Sequence, residues 1–203
     1  MRDESEIHAA WMRGDMTGAS SQLLTTLGPE ILGYLVGMHG DLDKANDVFS
    51  AFCERIWREM PDFQWRCSAR TWAYVIVRRI SIDHARSESR RTRRIQPISQ
   101  LSGWSEIAAQ VRTQTMPFLQ TGARDALRAL RDRLPPEDRM LLVLRVDREL
   151  SWSDLAHVFL GDAAGDAARR KQEAARLRKR FQLVKDRLRR WMIEGGLLPP
   201  DDA

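Results

Sequence analysis

Two stretches near the C-terminus decide the fold: Leu150-Ser-Trp-Ser-Asp-Leu-Ala156, and Arg169-Arg-Lys-Gln-Glu-Ala-Ala-Arg-Leu-Arg-Lys-Arg180 with its continuation to Arg190. In the first, Ser151 and Asp154 precede an apolar patch at the spacing of a capping box. There a serine hydroxyl takes an orphan helix N–H and the acidic residue reaches back. In the second, Leu177, Phe181, Val184, Leu188 and Trp191 recur at helical intervals and form one face. A short capped helix carrying Leu155, Ala156, Val158 and Phe159 therefore ends at Gly161, and a long basic helix runs from about Asp166 to Ile193. That is the order of a helix-turn-helix reader, whose last helix enters the major groove.

The charge supports this reading. Between Arg169 and Arg190 eleven Lys/Arg stand against two acids, Glu173 and Asp186. Arg176, Lys179, Arg180, Arg187 and Arg190 project from the remainder of the cylinder. Cations placed on phosphates release counterions, and arginine can read guanine bidentately. The plainer alternative is a solvated face or a coiled-coil seam.

Working back from this end, Ala126, Leu127, Leu130 and Leu134 form a helical stripe closed by Pro135-Pro136. Pro136 suits the first turn of the next helix, Glu137 to Asp147, with Met140, Leu141, Val143 and Leu144 inward. Ser89 to Gly122 has no such order and contains Pro97, Gly103 and Pro117, so it reads as a linker with one short helix near Ser105 to Arg112. Before it come helices at about Glu4 to Arg13, Thr17 to Met38 (with a break offered at Gly28-Pro29), Asp43 to Glu59 and Ala69 to Ser89. The third buries Ala45, Val48, Phe49, Phe52 and Ile56; the fourth turns Trp72, Val75, Ile76 and Ile80 inward. Met60-Pro61-Asp62 ends the third, and Phe63 to Ser68 is a loop.

No stretch alternates as a strand, so the expected fold is all-α: two helical domains joined by a flexible linker, the C-terminal one a helix-turn-helix. The expected domains are 1–92, a linker at 93–121, 122–195, and a tail at 196–203.

The composition agrees, with 43% hydrophobic residues, 30% charged residues and a net charge of +5. A second basic run lies at Arg86, Arg90, Arg91, Arg93 and Arg94. Two cysteines, Cys53 and Cys67, make no disulfide framework and suit a reduced compartment. Neither has metal-ligand spacing with His8, His39, His84 or His157. No apolar run approaches a membrane span, and the N-terminus has no apolar signal core. A cytoplasmic protein is expected. There is no phosphate-binding glycine loop and no nucleophile paired with a histidine, so neither an enzyme nor a cofactor is expected. Cys53 reads as an inert buried thiol, and His157 as a solvent-facing or capped histidine.

In the N-terminal unit, Phe63, Trp65 and Arg66 in the loop are followed by Arg70, Trp72, Tyr74, Arg78 and Arg79 on a helix. Rings interleaved with arginines suit single-stranded DNA, where bases stack and phosphates meet cations. Trp72 reads as core and Phe63 equally well as core or contact, while Trp65 and Tyr74 are the better candidates for an exposed role.

These residues carry a resemblance. Asp43-Lys-Ala-Asn-Asp-Val-Phe-Ser-Ala-Phe-Cys-Glu-Arg-Ile-Trp57 and Arg70-Thr-Trp-Ala-Tyr-Val-Ile-Val-Arg-Arg-Ile-Ser-Ile-Asp83 resemble the second conserved region of extracytoplasmic-function (ECF) sigma factors of the sigma-70 family. Leu127-Arg-Ala-Leu-Arg-Asp-Arg-Leu-Pro-Pro-Glu-Asp-Arg139 and Leu150 to Ala156 resemble the fourth region.

The resemblance implies a factor that binds core RNA polymerase and directs initiation at promoter DNA, the catalysis belonging to the polymerase. By it, Asp47, Ser50, Ala51 and Arg55 face the polymerase. Phe63, Trp65, Arg66, Arg70, Tyr74, Arg78, Arg79 and Arg86 hold the −10 element, and Arg169, Arg170, Lys171, Arg176, Lys179 and Arg180 hold the −35 element. An anti-sigma partner is a family expectation only.

Three features depart from the family pattern: Ser50-Ala51 in place of Gln-Glu, Arg79 in place of Asn, and a longer turn at Gly161 to Ala168, which leaves the start of the last helix open. The rival readings are a stand-alone helix-turn-helix regulator of duplex DNA and a protein-binding helical adaptor.

Overall fold

The computed structural model describes residues 4–88, 106–111 and 125–199, with side chains at 85–88 and 125–128 outside that description. The described residues form helices joined by turns and loops and include no strand. The chain divides into two compact units, Met1–Gln120 and Thr121–Ala203.

Unit 1 contains α1 (Ser5–Met12), α2 (Met16–His39), α3 (Leu42–Glu59), a single 3-10 turn (Met60–Asp62), α4 (Ala69–Glu88) and α5 (106–111). Local chemistry sets the ends. The Asp15 carboxylate accepts the Gly18 N–H at 2.8 Å and opens α2. Gly40, at φ 66°, closes it in the left-handed conformation that glycine adopts without strain. Asp41 then opens α3 by accepting from Asp43 N (2.9 Å) and Lys44 N (3.2 Å).

The break offered at Gly28-Pro29 does not occur, and α2 runs through it. A proline clashes with the Cβ of the residue before it, and Gly28 has none. Packing supplies the rest: Leu23, Leu24, Leu27, Ile31, Leu32 and Leu35 on both sides of the proline are buried.

Gly28 has a second use. A Cβ there would lie 3.0 and 3.2 Å from the Val111 methyls and 3.5 Å from Phe49 Cζ. The gap left by glycine is what lets α5 dock, with Ala108 and Val111 buried. Gly28→Ala should therefore strengthen α2 by about 1 kcal/mol of helix propensity while loosening α5. Hydrogen exchange is expected to show faster exchange at 106–111 with α2 protection unchanged or higher. Unchanged protection at α5 would mean that Val111 yields to the methyl.

Unit 2 contains α6 (Asp125–Asp132), α7 (Pro136–Leu142), a π turn (Val143–Asp147), α8 (Trp152–Leu160), a 3-10 turn (Gly161–Gly165) and α9 (Ala167–Glu194). Pro136 occupies the first turn of α7, as its missing N–H favours. The single helix expected from Glu137 to Asp147 widens into the π turn after Leu142 and ends where Arg148 N bonds Val143 O at 3.1 Å.

Ser151 Oγ accepts from Asp154 N (3.1 Å), as a capping serine should. The Asp154 carboxylate in turn accepts from the Ser151 hydroxyl (2.6 Å). Asp166 accepts from Ala168 N (2.8 Å) and Arg169 N (3.3 Å), which fixes the start of α9 at Ala167. Leu134, Leu142 and Val184 form a buried cluster, and Phe181, Leu188 and Trp191 pack on it. Leu177 is also buried, so the stripe read from the sequence is the packed face.

Among the described residues no helix is long and apolar enough to cross a membrane, and no cluster could hold a metal.

Candidate nucleic-acid interface

Of the four positions offered on α3, Asp47 lies opposite the buried stripe and the other three lie beside it. Asp47 is exposed, while Ser50, Ala51 and Arg55 are half-buried. Ser50 Oγ donates to Asn46 O at 2.9 Å. Arg55 is bonded to Glu59 one turn on, and Arg58 lies 3.7 Å from Glu54. The outer face of α3 is thus a strip of alternating charge with two exposed aspartates, Asp43 and Asp47, one turn apart. Cys53, on the inner side, is fully buried.

The loop at 63–68 is organised by aromatic contacts. Phe63 is 5% exposed and stacks on Trp72 with ring centroids 4.3 Å apart, so of its two readings the core one holds. Trp65 is half-buried at φ 51°. A left-handed backbone costs a residue with a Cβ about 1–2 kcal/mol. Contacts offset that cost: Trp65 meets Phe63 at 4.8 Å, His8 edge-on at 4.6 Å and Trp11 at 6.2 Å. Gln64, Arg66 and Ser68 are the exposed members of the loop.

α1 contributes more than a wall. The Glu4 carboxylate accepts from Ala69 N (2.7 Å) and Arg70 N (2.9 Å), capping α4 from across the unit. Ser68 Oγ adds a third acceptor, for Thr71 N at 3.0 Å. A carboxylate at a helix N-terminus satisfies orphan N–H groups and opposes the helix dipole favourably. The sequence reading missed Glu4, His8 and Trp11, because nothing local marks a cap supplied from so far away.

One position on α4 needs correction. Tyr74, offered for an exposed role, is 1% exposed. Its hydroxyl donates to Glu30 Oε1 at 2.7 Å, and its ring meets Tyr34 edge-on at 5.4 Å. Arg70 donates to the same carboxylate oxygen, from Nε at 2.8 Å and Nη2 at 2.6 Å. The polar tip of an interior tyrosine needs a partner, and α2 provides one. Arg78 and Arg79 are half-buried. The side chain of Arg86, and all of Arg90, Arg91, Arg93 and Arg94, lie outside the described residues.

On α9 the basic residues differ sharply in freedom. Arg170 turns back to the carbonyls of Ala164 and Gly165. Arg180 donates to Asp138 (2.6 Å) and Glu137 (2.8 Å). Burial lowers its pKa, but the hydrogen bonds and charges of those two carboxylates outweigh this and hold it above its ordinary value. Arg176 forms two bonds with Glu173 (2.8 and 2.7 Å), which raise its pKa. Arg169 lies 3.7 Å from Asp166. Lys171 and Lys179 are exposed. Trp152, on α8, lies between Arg145 and Arg178, at 4.9 and 5.6 Å from its ring centroid. His157 Nδ1 lies 3.3 Å from Ser153 O, a local contact on its own helix.

Residues 23–91 match the Sigma-70 region 2 family. This chain contains a Sigma-70 region 2 domain. The span runs from Leu23 on α2 through α3 and α4, and so covers the α3 strip, the aromatic loop and the Arg70–Tyr74 anchor. It supports a sigma-70 family sigma factor engaged in RNA polymerase binding and promoter melting, and members of that family are initiation factors without enzymatic activity. The match leaves α1, α5 and unit 2 unassigned. A search of curated proteins found no match.

Proposed function

We propose that this protein is a sigma factor of the ECF type, working in the bacterial cytoplasm, that seats on core RNA polymerase and reads both promoter elements. The observation that carries the reading is the region 2 match over α2–α4, whose α3 presents Asp47 on an uncovered outer face. In this reading the α3 strip docks on the polymerase. Gln64 and Arg66 of the loop, with Arg78 and Arg79 of α4, hold the opened strand at −10. Arg70, Tyr74, Phe63 and Trp65 set the shape of that surface from behind.

Unit 2 grips −35 duplex as a helix-turn-helix, with α8 as its support and α9, starting at Ala167, as its reading helix. The 3-10 turn at Gly161–Gly165 supplies the added length between the two. The linker lies along the polymerase, and any anti-sigma partner follows from the family alone.

The test is retention of core polymerase by purified protein. Asp47→Ala should weaken retention by about 5- to 30-fold, the loss of one central interface residue. Arg55→Ala should weaken it less, because that guanidinium already serves Glu59. A protein that shifts promoter duplex alone and retains no polymerase would instead be a stand-alone helix-turn-helix regulator.

A further inference from the structure

The ion pairs of unit 2 sort the basic helix into residues that hold the domain together and residues left to read a ligand. Arg170 and Arg180 are bonded into their own unit, and Arg176 is bonded twice to Glu173. The side chains most often invoked for reading guanine are therefore engaged before any DNA arrives. On the face opposite Leu177 and Val184 stands a different set: Ala168, Lys171, Gln172, Ala175 and Lys179, all exposed.

In the sequence Gln172 is one uncharged polar residue within a basic run. No side-chain partner engages it among the described residues. At about 1.5 Å per residue, Ala168 to Lys179 spans roughly 16 Å. At about 3.4 Å per base pair, that is about five steps of duplex. Ala168 and Ala175 carry only a methyl, so nothing on them holds the helix away from a base edge. Further along the same face Gln182 is bonded to Asp186 (3.4 Å), and that carboxylate repels phosphate and closes the strip.

We infer that Gln172 is the base-specifying residue of this helix, reading an adenine in the major groove. Its amide offers a donor and an acceptor side by side, the pattern that adenine N7 and N6 present. Ala175 lies one turn on, where a thymine methyl is the matching apolar contact. Lys171 and Lys179 flank the pair and act on phosphates, which positions the helix without selecting sequence. Arg180 is a positioning residue, held by Glu137 and Asp138 on α7, while Arg176 is engaged by Glu173 on its own helix. The inference rests on the proposed role of unit 2 and names the part of its target that the helix selects.

The test is selection of open complexes from a promoter library randomised across the upstream element, using full-length protein bound to core polymerase. Wild type should enrich adenine at one position. Gln172→Arg should move that position to guanine, and Gln172→Glu should move it to cytosine. Either should lose about 5- to 150-fold for the original base, the range for one bidentate contact. Lys179→Ala should lower binding evenly across sequences and reduce the salt slope by about one.

The inference is overturned if the Gln172 variants keep the wild-type preference at every position, or if Arg176→Ala alone changes a base. A wild-type library with no upstream preference at all, and initiation indifferent to every α9 variant, would overturn the −35 role of unit 2 and this inference with it. Exposed helical positions tolerate these substitutions, and an unchanged helical circular dichroism signal checks that they do.

Discussion

Asp138→Ala should destabilise unit 2 by about 3 kcal/mol, near the lower end of what breaking a buried charge pair costs. Asp138 is 7% exposed and stands in the first turn of α7. One carboxylate does three things there. It complements the positive end of α7, it accepts from Arg180 Nε at 2.6 Å, and it accepts from Arg187 Nη1 at 3.1 Å. Both arginines are on α9, so this side chain ties the long helix to the unit.

The loss stays at the lower end because Arg180 and Arg187 are 27% and 38% exposed and can recover water. Arg187→Ala, removing a rim partner, should cost no more than about 1 kcal/mol. Asp138→Asn should fall between the two, since it keeps an acceptor and loses the charge. Hydrogen exchange of α9 amides reads unit 2 apart from unit 1. Wild-type protection in Asp138→Ala would show that the apolar cluster at Leu134, Leu142 and Val184 alone holds the helix.

The difference between α3 and α4 shows where the sequence was legible. For α3 the information is local: a stop at His39-Gly40-Asp41 before it, and a stripe from Ala45 to Ile56 whose members are buried. The same holds for Leu177 and Val184 on α9, and for the capped start at Ser151. Helical period and end chemistry act within a few residues, so a linear reading captures them.

Tyr74 was misread because its partner, Glu30, lies on another helix. Arg180 looks like an outward charge in the pattern, yet its carboxylates are Glu137 and Asp138 on α7. Trp65 takes its place from His8 and Trp11 on α1. Each is a polar or aromatic tip satisfied at long range, where hydrophobic periodicity carries no information. The candidate site suffers more from this than the fold does, because sites are made of such tips.

Glu30 is the sharpest case, and Glu30→Ala should destabilise unit 1 by about 3–5 kcal/mol. The carboxylate is 8% exposed, and one of its oxygens receives both Arg70 and the Tyr74 hydroxyl. Its removal leaves the Tyr74 hydroxyl, in a residue 1% exposed, without the acceptor it now has. An interior donor stripped of its partner costs about 1–3 kcal/mol by itself. Glu30→Gln keeps an acceptor for Tyr74 and loses the ion pair, so it should cost less.

The order of the variants is the test. The Arg70 side chain is 31% exposed, whereas that of Glu30 is 7% exposed. Removing Arg70 takes the cation from a buried carboxylate; removing Glu30 takes a carboxylate from a cation that water can reach and from a buried hydroxyl. Tyr74→Phe deletes that hydroxyl, so if it drives the Glu30→Ala loss, the double variant Glu30→Ala/Tyr74→Phe should recover at least 1 kcal/mol relative to the sum of the singles, roughly the coupling of residues in one network. Urea denaturation followed at α4 amides measures all four. Additive losses would mean that Tyr74 is held by its ring against Tyr34 and not by its hydroxyl, and that Glu30 places α4 through Arg70.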